Sequence, residues 1–297
     1  MNQLIEQLIN GIVIGSMYAL VALGYTLVFG YLNKLNLAHG DIFMFGGFVA
    51  VFALANGLPL WVAAIFVIIV SGLMGLLVEL LSFRKFKTHD AHITASLSSV
   101  ALGIVVTDVT QRIWGTEPIS LNLPSSIYVN GITIFGDTKI SYVQLVILLI
   151  SIILMAALTY IVQRTKYGRF MRAISEDTVS SSLLGIDAKK VMQQTFFISC
   201  ALAGVAGILF VLRTGIASST IGLTFGLKAL AVMAIGGLGD LRGSLVGGLA
   251  VGIIEAMAFH FGWGTISEML IWVFLIVIII FKPSGLFGSK NQLEVRA

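Results

Sequence analysis

The feature that most constrains this chain is its series of apolar segments, several of which are long enough to cross a lipid bilayer. A spanning helix needs about 20 mostly apolar residues. Of the 297 residues, 58% are apolar and 11% are charged, whereas a soluble domain carries about 25% charged residues. So few charges exclude a water-soluble globule, and so many apolar residues exclude a disordered chain. Because the apolar runs are continuous and do not alternate, they predict an all-α polytopic membrane protein and not a β-barrel.

The apolar runs predict nine segments, of which the second and the seventh are the least regular. The stretch 225–261 is too long for one span, because at about 1.5 Å per residue it would extend roughly 55 Å. The glycine-rich run 236–243 divides it. The polar second segment and the short seventh are candidates for re-entrant segments, so we expect about eight or nine transmembrane helices with broken or re-entrant parts. The segments are 8–30, 37–56, 59–82, 91–114, 140–162, 192–212, 225–236, 243–261 and 266–281.

Basic residues are distributed unevenly between the two sides of this map. Of the 18 Lys and Arg residues, 14 lie on one side, and the exceptions are Arg112, Lys139, Arg213 and Lys228. Since Lys and Arg accumulate in cytoplasmic loops, the N-terminus is expected outside and the C-terminus in the cytoplasm. The net charge of +4 therefore reflects topology, and we expect no nucleic-acid partner. No Lys or Arg precedes the first apolar run, so we expect that span to be retained and not cleaved as a signal.

The chain is expected to form one transmembrane domain over 1–297, with two polar excursions. The outer one, 115–139, contains Asn130-Gly131, and its pattern predicts a small hairpin around that pair. The other, 163–191, is the largest cytoplasmic element.

Within 163–191, apolar residues recur at helical spacing, as at Phe170 and Ile174 and again at Val179 and Leu183. This predicts a short amphipathic helix lying at the cytoplasmic face. Gly185 suits the position just past its end, and Asp187 can cap the helix that follows. An apolar stripe framed by charges of both signs suits docking into a groove on a partner. The alternative is a solvated, positively charged loop.

Several classes of catalytic and binding site lack their sequence signature. The chain has no phosphate-binding Gly-x-x-x-x-Gly-Lys-Ser/Thr loop, no His-Glu-x-x-His pair and no Gly-x-Ser-x-Gly elbow. Its one cysteine, Cys200, forms no internal disulfide or thiolate cluster. We therefore expect no enzyme activity, no metal and no cofactor. Energy for uphill transport would come from an ion gradient or from another polypeptide.

Small residues recur at four-residue spacing in several segments, a pattern that lets helices approach closely. We interpret these motifs as helix-packing seams. The alternative, that the seams slide during transport, stays open. The motifs are Gly11 and Gly15; Ser199, Ala203 and Gly207; Gly243 and Gly247; and Gly248 and Gly252.

Ionisable residues inside apolar spans cost roughly 2.5–3.5 kcal/mol each on insertion scales, so they usually face protein or water. Asp108 is the deepest, with Thr107, Thr110 and Gln111 nearby. This polar face either lines a pathway or makes interhelical hydrogen bonds. The other ionisable residues are His39, Asp41, Glu79, His92, Glu255, His260 and Glu268.

Seven sequence blocks form a recognisable series along the chain. They are Gly11-Ile-Val-Ile-Gly-Ser-Met-Tyr-Ala-Leu, Ala22-Leu-Gly-Tyr-Thr, Leu35-Asn-Leu-Ala-His-Gly, Tyr167-Gly-Arg-Phe-Met-Arg-Ala-Ile-Ser-Glu-Asp, Ser182-Leu-Leu-Gly-Ile-Asp, Gly236-Gly-Leu-Gly-Asp-Leu-Arg-Gly-Ser-Leu-Val-Gly-Gly and Lys282-Pro-Ser-Gly-Leu-Phe-Gly. These blocks resemble the branched-chain amino acid permease family of bacterial ABC importers. The resemblance extends over about residues 8–288, with the blocks in the family's order. Asp240 and Arg242 are more polar than the residues usual in the glycine-rich block.

The resemblance implies a permease subunit in the bacterial plasma membrane, surrounded by lipid. Its partners would be cytoplasmic ATPase subunits that hydrolyse ATP, a second related permease or another copy of this chain, and an extracytoplasmic solute-binding protein. Substrate selection would reside mainly in that binding protein. The implied coupling residues are Arg172, Glu176, Asp177 and Gly185, and the implied helix breaks near the pathway include His39, Gly40, Gly236, Gly237 and Gly239.

Branched-chain amino acids are the expected solutes, although the same family also serves urea, short amides and other small solutes. A different class is an ion-coupled secondary transporter that uses Asp108 or Glu255 as its ion site. Such transporters often contain inverted repeats, and no convincing repeat is visible. A channel would need a ring of selective groups, and nothing in the sequence identifies one.

Overall fold

The computed structural model describes residues 2–86, 91–121, 130–135 and 138–288. This part of the chain folds into eleven α-helices, with two small two-stranded sheets at the loops. The helices are α1 (Asn2–Leu32), α2 (His39–Ala55), α3 (Leu60–Val78, continued by a π-helical turn, Glu79–Phe83), α4 (Ala91–Trp114), α5 (Tyr142–Arg164), α6 (Lys166–Glu176), α7 (Thr178–Leu183), α8 (Ala188–Thr214), α9 (Ile221–Gly236), α10 (Leu241–His260) and α11 (Ser267–Phe281, preceded by a 3₁₀ turn, Gly264–Ile266).

Seven of the described helices are long and apolar enough to cross a membrane: α1, α3, α4, α5, α8, α10 and α11. The apolar helices α2 and α9 are shorter, with 17 and 16 residues, or about 25 Å each. They are the second and seventh segments, the two that the sequence marked as candidates for re-entry. The all-α polytopic prediction is confirmed, and the number of complete spans stays a prediction.

Helices α1 and α8 form the centre of the bundle, and 83% of the apolar 18-residue stretch of each is buried. Two of the small-residue motifs meet where α1 packs on α10. A Cβ atom at Gly15 would lie 2.7 Å from the carbonyl oxygen of Gly248, and one at Gly11 would lie 2.9 Å from the Cα of Ile253. Only glycine permits this approach, so these motifs pack helices, as predicted.

A hairpin does form in the loop before α5. The sequence predicted its turn at Asn130-Gly131, and this position is wrong, because Gly131 lies within a strand. Strand β2 (Gly131–Phe135) pairs antiparallel with β3 (Thr138–Ser141), and Gly131 lies opposite Ser141. Gly131 faces the Ile140 backbone with no space for a side chain. A glycine at position 131 therefore permits close pairing of the two strands and does not form a turn. The flanking stretch 122–129 lies outside the described residues.

The loops and helix ends define two ends of the bundle. The hairpin end carries the start of α1, the β2–β3 hairpin and a second sheet, in which β1 (Ile119–Ser120) pairs with β4 (Ile216–Ala217). There the Gln144 amide donates a hydrogen bond of 2.7 Å to Asn10 Oδ1, joining α5 to α1. The short-helix end carries α6, α7 and the turn between α9 and α10, which packs on Gly30 near the end of α1.

Candidate functional site

The region predicted as one amphipathic helix is two helices, α6 and α7, which meet at Asp177. The Asp177 backbone is extended, and its carboxylate accepts a hydrogen bond of 2.8 Å from the Val179 N–H and another from the Ser180 hydroxyl. This capping ends α6 and begins α7. The same donors, the Ser180 hydroxyl first, lower the pKa of Asp177 below its ordinary value, so the carboxylate stays ionised at neutral pH.

The two boundary residues expected after this region are confirmed. Gly185 adopts a φ of +83° beyond α7, a conformation that side chains other than glycine rarely adopt. Asp187 accepts a hydrogen bond of 3.1 Å from the Lys190 N–H at the start of α8. That hydrogen bond is the main cause that lowers the pKa of Asp187. The short helices are therefore fixed at both ends before the chain enters α8.

The apolar residues of the short helices face two ways. Met171 and Ile174 of α6 are buried against the bundle, whereas Val179, Leu183 and Leu184 are 69%, 83% and 82% exposed. We name these last three residues the α7 patch. The exposed side chains of Glu176 and Asp177 adjoin it. The α7 patch is thus an apolar surface with acidic neighbours. The short helix that carries it is capped by Asp177 at its start and followed by Gly185.

Arg172 faces its own chain. Its guanidinium donates a hydrogen bond to the carbonyl oxygen of Val162, in the last turn of α5. A free carbonyl at a helix C-terminus is a natural acceptor for a cation. Of the four predicted coupling residues, Glu176 is exposed, Asp177 and Gly185 shape the backbone, and Arg172 ties α6 to α5.

The predicted helix break at the glycine-rich run is present between α9 and α10. Gly237 and Gly239 adopt φ values of +116° and +93°, and Gly236 packs directly on Gly243. Asp240, the polar departure from the family pattern, caps α10 by accepting hydrogen bonds of 2.7 and 3.1 Å from the N–H groups of Arg242 and Gly243.

The C-terminal block Lys282–Gly288 covers this break. The Leu286 N–H donates to the Ile235 carbonyl at 2.8 Å, and the Phe287 N–H donates to the Gly236 carbonyl at 2.9 Å. The glycine-rich run and the C-terminal block, which are separate in the sequence, are therefore joined by backbone hydrogen bonds. The sequence alone gave no sign of this contact.

His39 and Gly40 begin α2 inside the core. The His39 ring is fully buried, with its centroid 4.5 Å from that of Tyr25. Its Nδ1 lies 3.5 Å from the Ser199 hydroxyl. Gly40 packs on the backbone of Gly222 and Gly226 in α9. These contacts bring the start of α2 against α1, α8 and α9.

Asp108 lies on the exposed face of α4, where its Oδ2 is 2.7 Å from Nε of Arg112 and its side chain is 56% exposed. Its polar neighbours face inward. The Thr107 hydroxyl donates to Asp41 of α2 at 3.1 Å, and the Gln111 amide donates to the Ser219 hydroxyl at 3.1 Å. Thr107 thus makes an interhelical hydrogen bond to α2, and Gln111 bonds to the turn before α9.

The described residues contain no arrangement suited to a metal ion, since no three His, Cys, Asp or Glu side chains among them come together. Cys200 is free and buried, and the Asn36 amide lies 3.8 Å from its Sγ. It therefore behaves as a small core residue.

A buried charged cluster between α1, α9 and α10 was not assembled by sequence reasoning. The Lys228 ammonium donates to Glu255 Oε1 at 2.7 Å, and the Tyr18 hydroxyl donates to Glu255 Oε2 at 2.6 Å. Nζ of Lys228 also lies 3.5 Å from Glu268 Oε1 of α11. Lys228 had been counted with the outer basic residues, and the structure buries it within α9. The location of Lys228 within the apolar segment 225–236 was the sequence signal that could have indicated its burial.

Comparison with known proteins identifies the family. The family model described as "Branched-chain amino acid transport system / permease component" matches residues 7–280. The chain belongs to this permease family. It is 31% identical to the high-affinity branched-chain amino acid transport system permease protein BraD of Pseudomonas aeruginosa, covering 98% of both chains. It is 29% identical to LivH of Escherichia coli, covering 98% of this chain and 97% of that one. LivM of Salmonella typhimurium is 24% identical, with 94% of this chain and 70% of that one covered.

Proposed function

We propose that this permease family member forms the translocation pathway of a binding-protein-dependent ABC importer for branched-chain amino acids. The family match over 7–280 and the names of BraD and LivH support the solute class. ATP hydrolysis would occur in separate cytoplasmic ATPase subunits. Family membership favours this function over an ion-coupled transporter.

The observation that carries the coupling role is the α7 patch. Val179, Leu183 and Leu184 expose large apolar side chains, while the helix that carries them is anchored by its caps and by α6. Exposed apolar surface of this kind, bordered by charges, is suited to a protein groove. We assign it to the ATPase, with Glu176 and Asp177 at its border and with Arg172 and Gly185 positioning the two helices.

This assignment places the short-helix end in the cytoplasm of a bacterium and the hairpin end outside its plasma membrane. A second permease subunit would complete the pathway. The similarity to both LivH and LivM supports a related chain as that subunit, and a second copy is the alternative. An extracytoplasmic binding protein would deliver solute at the hairpin end.

The helix breaks are proposed to lie beside the pathway. His39 and Gly40 begin the short helix α2, and Gly236, Gly237 and Gly239 end the short helix α9. Short helices that stop inside a bundle expose backbone groups, which membrane proteins tolerate where protein or water covers them. Asp108 would reach the pathway only if a partner permease covers the exposed face of α4.

Reconstitution with candidate partners tests this function. Proteoliposomes containing this chain, its partner permease and the ATPases would receive binding protein outside and ATP at the ATPase side. We expect ATP-dependent uptake of leucine, isoleucine and valine that exceeds uptake of urea and acetamide. Uptake that persists without ATP and collapses with a protonophore would overturn the assignment. ATP-dependent uptake restricted to urea or amides would replace the solute and keep the mechanism.

A further inference from the structure

A cavity of about 480 Å³ lies between α1, α8, α9 and α10 and reaches toward the hairpin end. Its volume is within the range of small-molecule sites. The buried cluster of Tyr18, Lys228 and Glu255 forms its inner part, and Tyr18 lies near the middle of α1. The cavity therefore extends from the region where solute would be delivered to about half the depth of the bundle.

Arg213 adds a second cationic side chain to the lining of this cavity. Lys228 and Glu255 form an ion pair with an N–O distance of 2.7 Å, so their charges offset each other. Arg213 also lines the cavity, and among the described residues no hydrogen bond or ion pair engages its guanidinium. A guanidinium binds a carboxylate through two parallel hydrogen bonds. Among the described residues, the hydrogen-bond donors of the Arg213 guanidinium are therefore available to a carboxylate ligand.

Aromatic side chains form an apolar wall of the cavity. Phe210 and Phe225 line the cavity with their ring centroids 5.0 Å apart. Phe225 is also stacked on Phe43 at 4.6 Å, which fixes its orientation. Ile14 contributes an aliphatic surface from α1. The wall is rigid and is suited to a branched aliphatic group.

Glu255 can still accept a hydrogen bond from a ligand. Each of its oxygens accepts one described hydrogen bond, from Lys228 or from Tyr18. A carboxylate has about four lone-pair sites, so an ammonium group can be bound as well. The cavity thus combines a carboxylate-binding cation, an ammonium-binding anion and an apolar wall.

We propose that this cavity is a binding site for a zwitterionic amino acid with an aliphatic side chain. Its α-carboxylate binds Arg213, its α-ammonium faces Glu255, and its side chain packs on Phe210 and Phe225. This inference rests on the proposed function, and it assigns part of the solute recognition to the membrane domain itself.

Arg213 is the informative position for a test. Replacing Glu255 would leave the buried Lys228 with only the more distant carboxylate of Glu268, at 3.5 Å, and losing the closer partner of a buried ion pair destabilises a protein strongly. Replacing Arg213 leaves no ion-pair partner uncompensated. Arg213→Gln removes the charge and the fork, and Arg213→Lys keeps the charge alone. Lys139→Gln is the matched control, since it removes an exposed positive charge at the hairpin end, outside the cavity.

Equilibrium binding of radiolabelled leucine tests the site directly. The complete permease–ATPase complex would be placed in nanodiscs without binding protein. We expect saturable binding to the wild type and to Lys139→Gln, at least tenfold weaker binding to Arg213→Gln, and intermediate binding to Arg213→Lys. 4-Methylpentanoate, which lacks the ammonium, and 3-methylbutylamine, which lacks the carboxylate, should each compete at least tenfold less well than leucine. Unchanged affinity in Arg213→Gln, or no saturable binding to the wild type, would overturn the site.

Uptake by the reconstituted importer separates this inference from the proposed function. Equal ATP-dependent leucine uptake by wild type and Arg213→Gln would sink the site and leave the function standing. No ATP-dependent uptake of any tested solute by the wild type would count against the function itself. Co-purification of the ATPases with Arg213→Gln verifies folding. Should that variant fail to assemble, Thr224→Phe, which narrows the cavity from α9, is expected to give the same loss of binding.

Discussion

Gly15 and Gly248 determine how closely α1 approaches α10 at the centre of the bundle. A Cβ atom at Gly15 would lie 2.7 Å from the Gly248 carbonyl oxygen and 2.9 Å from the Leu249 Cα. Both neighbours are backbone atoms, so no rotamer change can relieve the clash. In lipid, where apolar surface gains little by leaving its solvent, such close packing is a principal source of helix association.

Gly15→Leu is therefore expected to lower the thermal stability of the purified protein by forcing α1 and α10 apart. Overpacking typically costs about 1–3 kcal/mol, and the rigid backbone neighbours favour the upper part of that range. The midpoint of thermal aggregation, followed by fluorescence-detected size exclusion, measures the effect. Ala101→Leu on the exposed face of α4 is the control and should leave the midpoint unchanged. Equal midpoints for the two variants would contradict this account of the seam.

The short helices α6 and α7 mark where sequence reasoning succeeds and where it stops at the level of elements. Apolar residues at helical spacing predicted helical structure here. Gly185 predicted where the region ends, and Asp187 predicted the cap of α8. The break at Asp177 was missed, because an aspartate between polar residues has the same pattern whether it caps a helix or faces solvent. The inward direction of Arg172 depends on a carbonyl of α5, which is a tertiary contact.

Replacing Val179 and Leu183 together by Glu is expected to abolish co-purification of the ATPase while the protein still inserts in the membrane. The exchange places two charges in the apolar centre of the α7 patch, where docking would bury them. Pull-down from solubilised membranes measures it. Ile132→Glu, at an exposed apolar position in the hairpin, is the control. Undiminished ATPase recovery with the double variant would refute the docking surface.

The charge of the coupling region can be tested separately from its shape. Glu176→Lys reverses an exposed charge beside the α7 patch and leaves the caps intact, so we expect weaker ATPase binding with unchanged thermal stability. Asp177→Lys would also remove the cap of α7, and its effect would mix folding with docking. ATPase binding in a titrated pull-down distinguishes them. Wild-type affinity in Glu176→Lys would show that the acidic border makes no contact with the ATPase.

At the scale of the whole molecule, continuous apolar runs and glycine-rich breaks specified the sequence of helices, including the two short ones. These signals are local, and each is contained within about 20 residues. The assembly of Tyr18, Lys228, Glu255 and Arg213 around one cavity is not local, because it depends on the packing of four helices. The contact of the C-terminal block with the α9–α10 turn is hidden for the same reason. The positions of Lys and Arg along the chain predict one further global property, the orientation in the membrane.

That orientation yields a prediction for the intact protein, and the single cysteine makes it easy to measure. Cys200 is fully buried, so the wild type should react little with a membrane-impermeant maleimide. Ile132→Cys, at the hairpin end, is expected to be labelled in cells whose inner membrane is intact, because that end would face outward. Leu184→Cys, in the α7 patch, should be labelled only after the membrane is permeabilised, although its side-chain position is the more exposed of the two, at 82% against 51%. The reverse pattern would invert the molecule, and with it the end at which ATP hydrolysis acts.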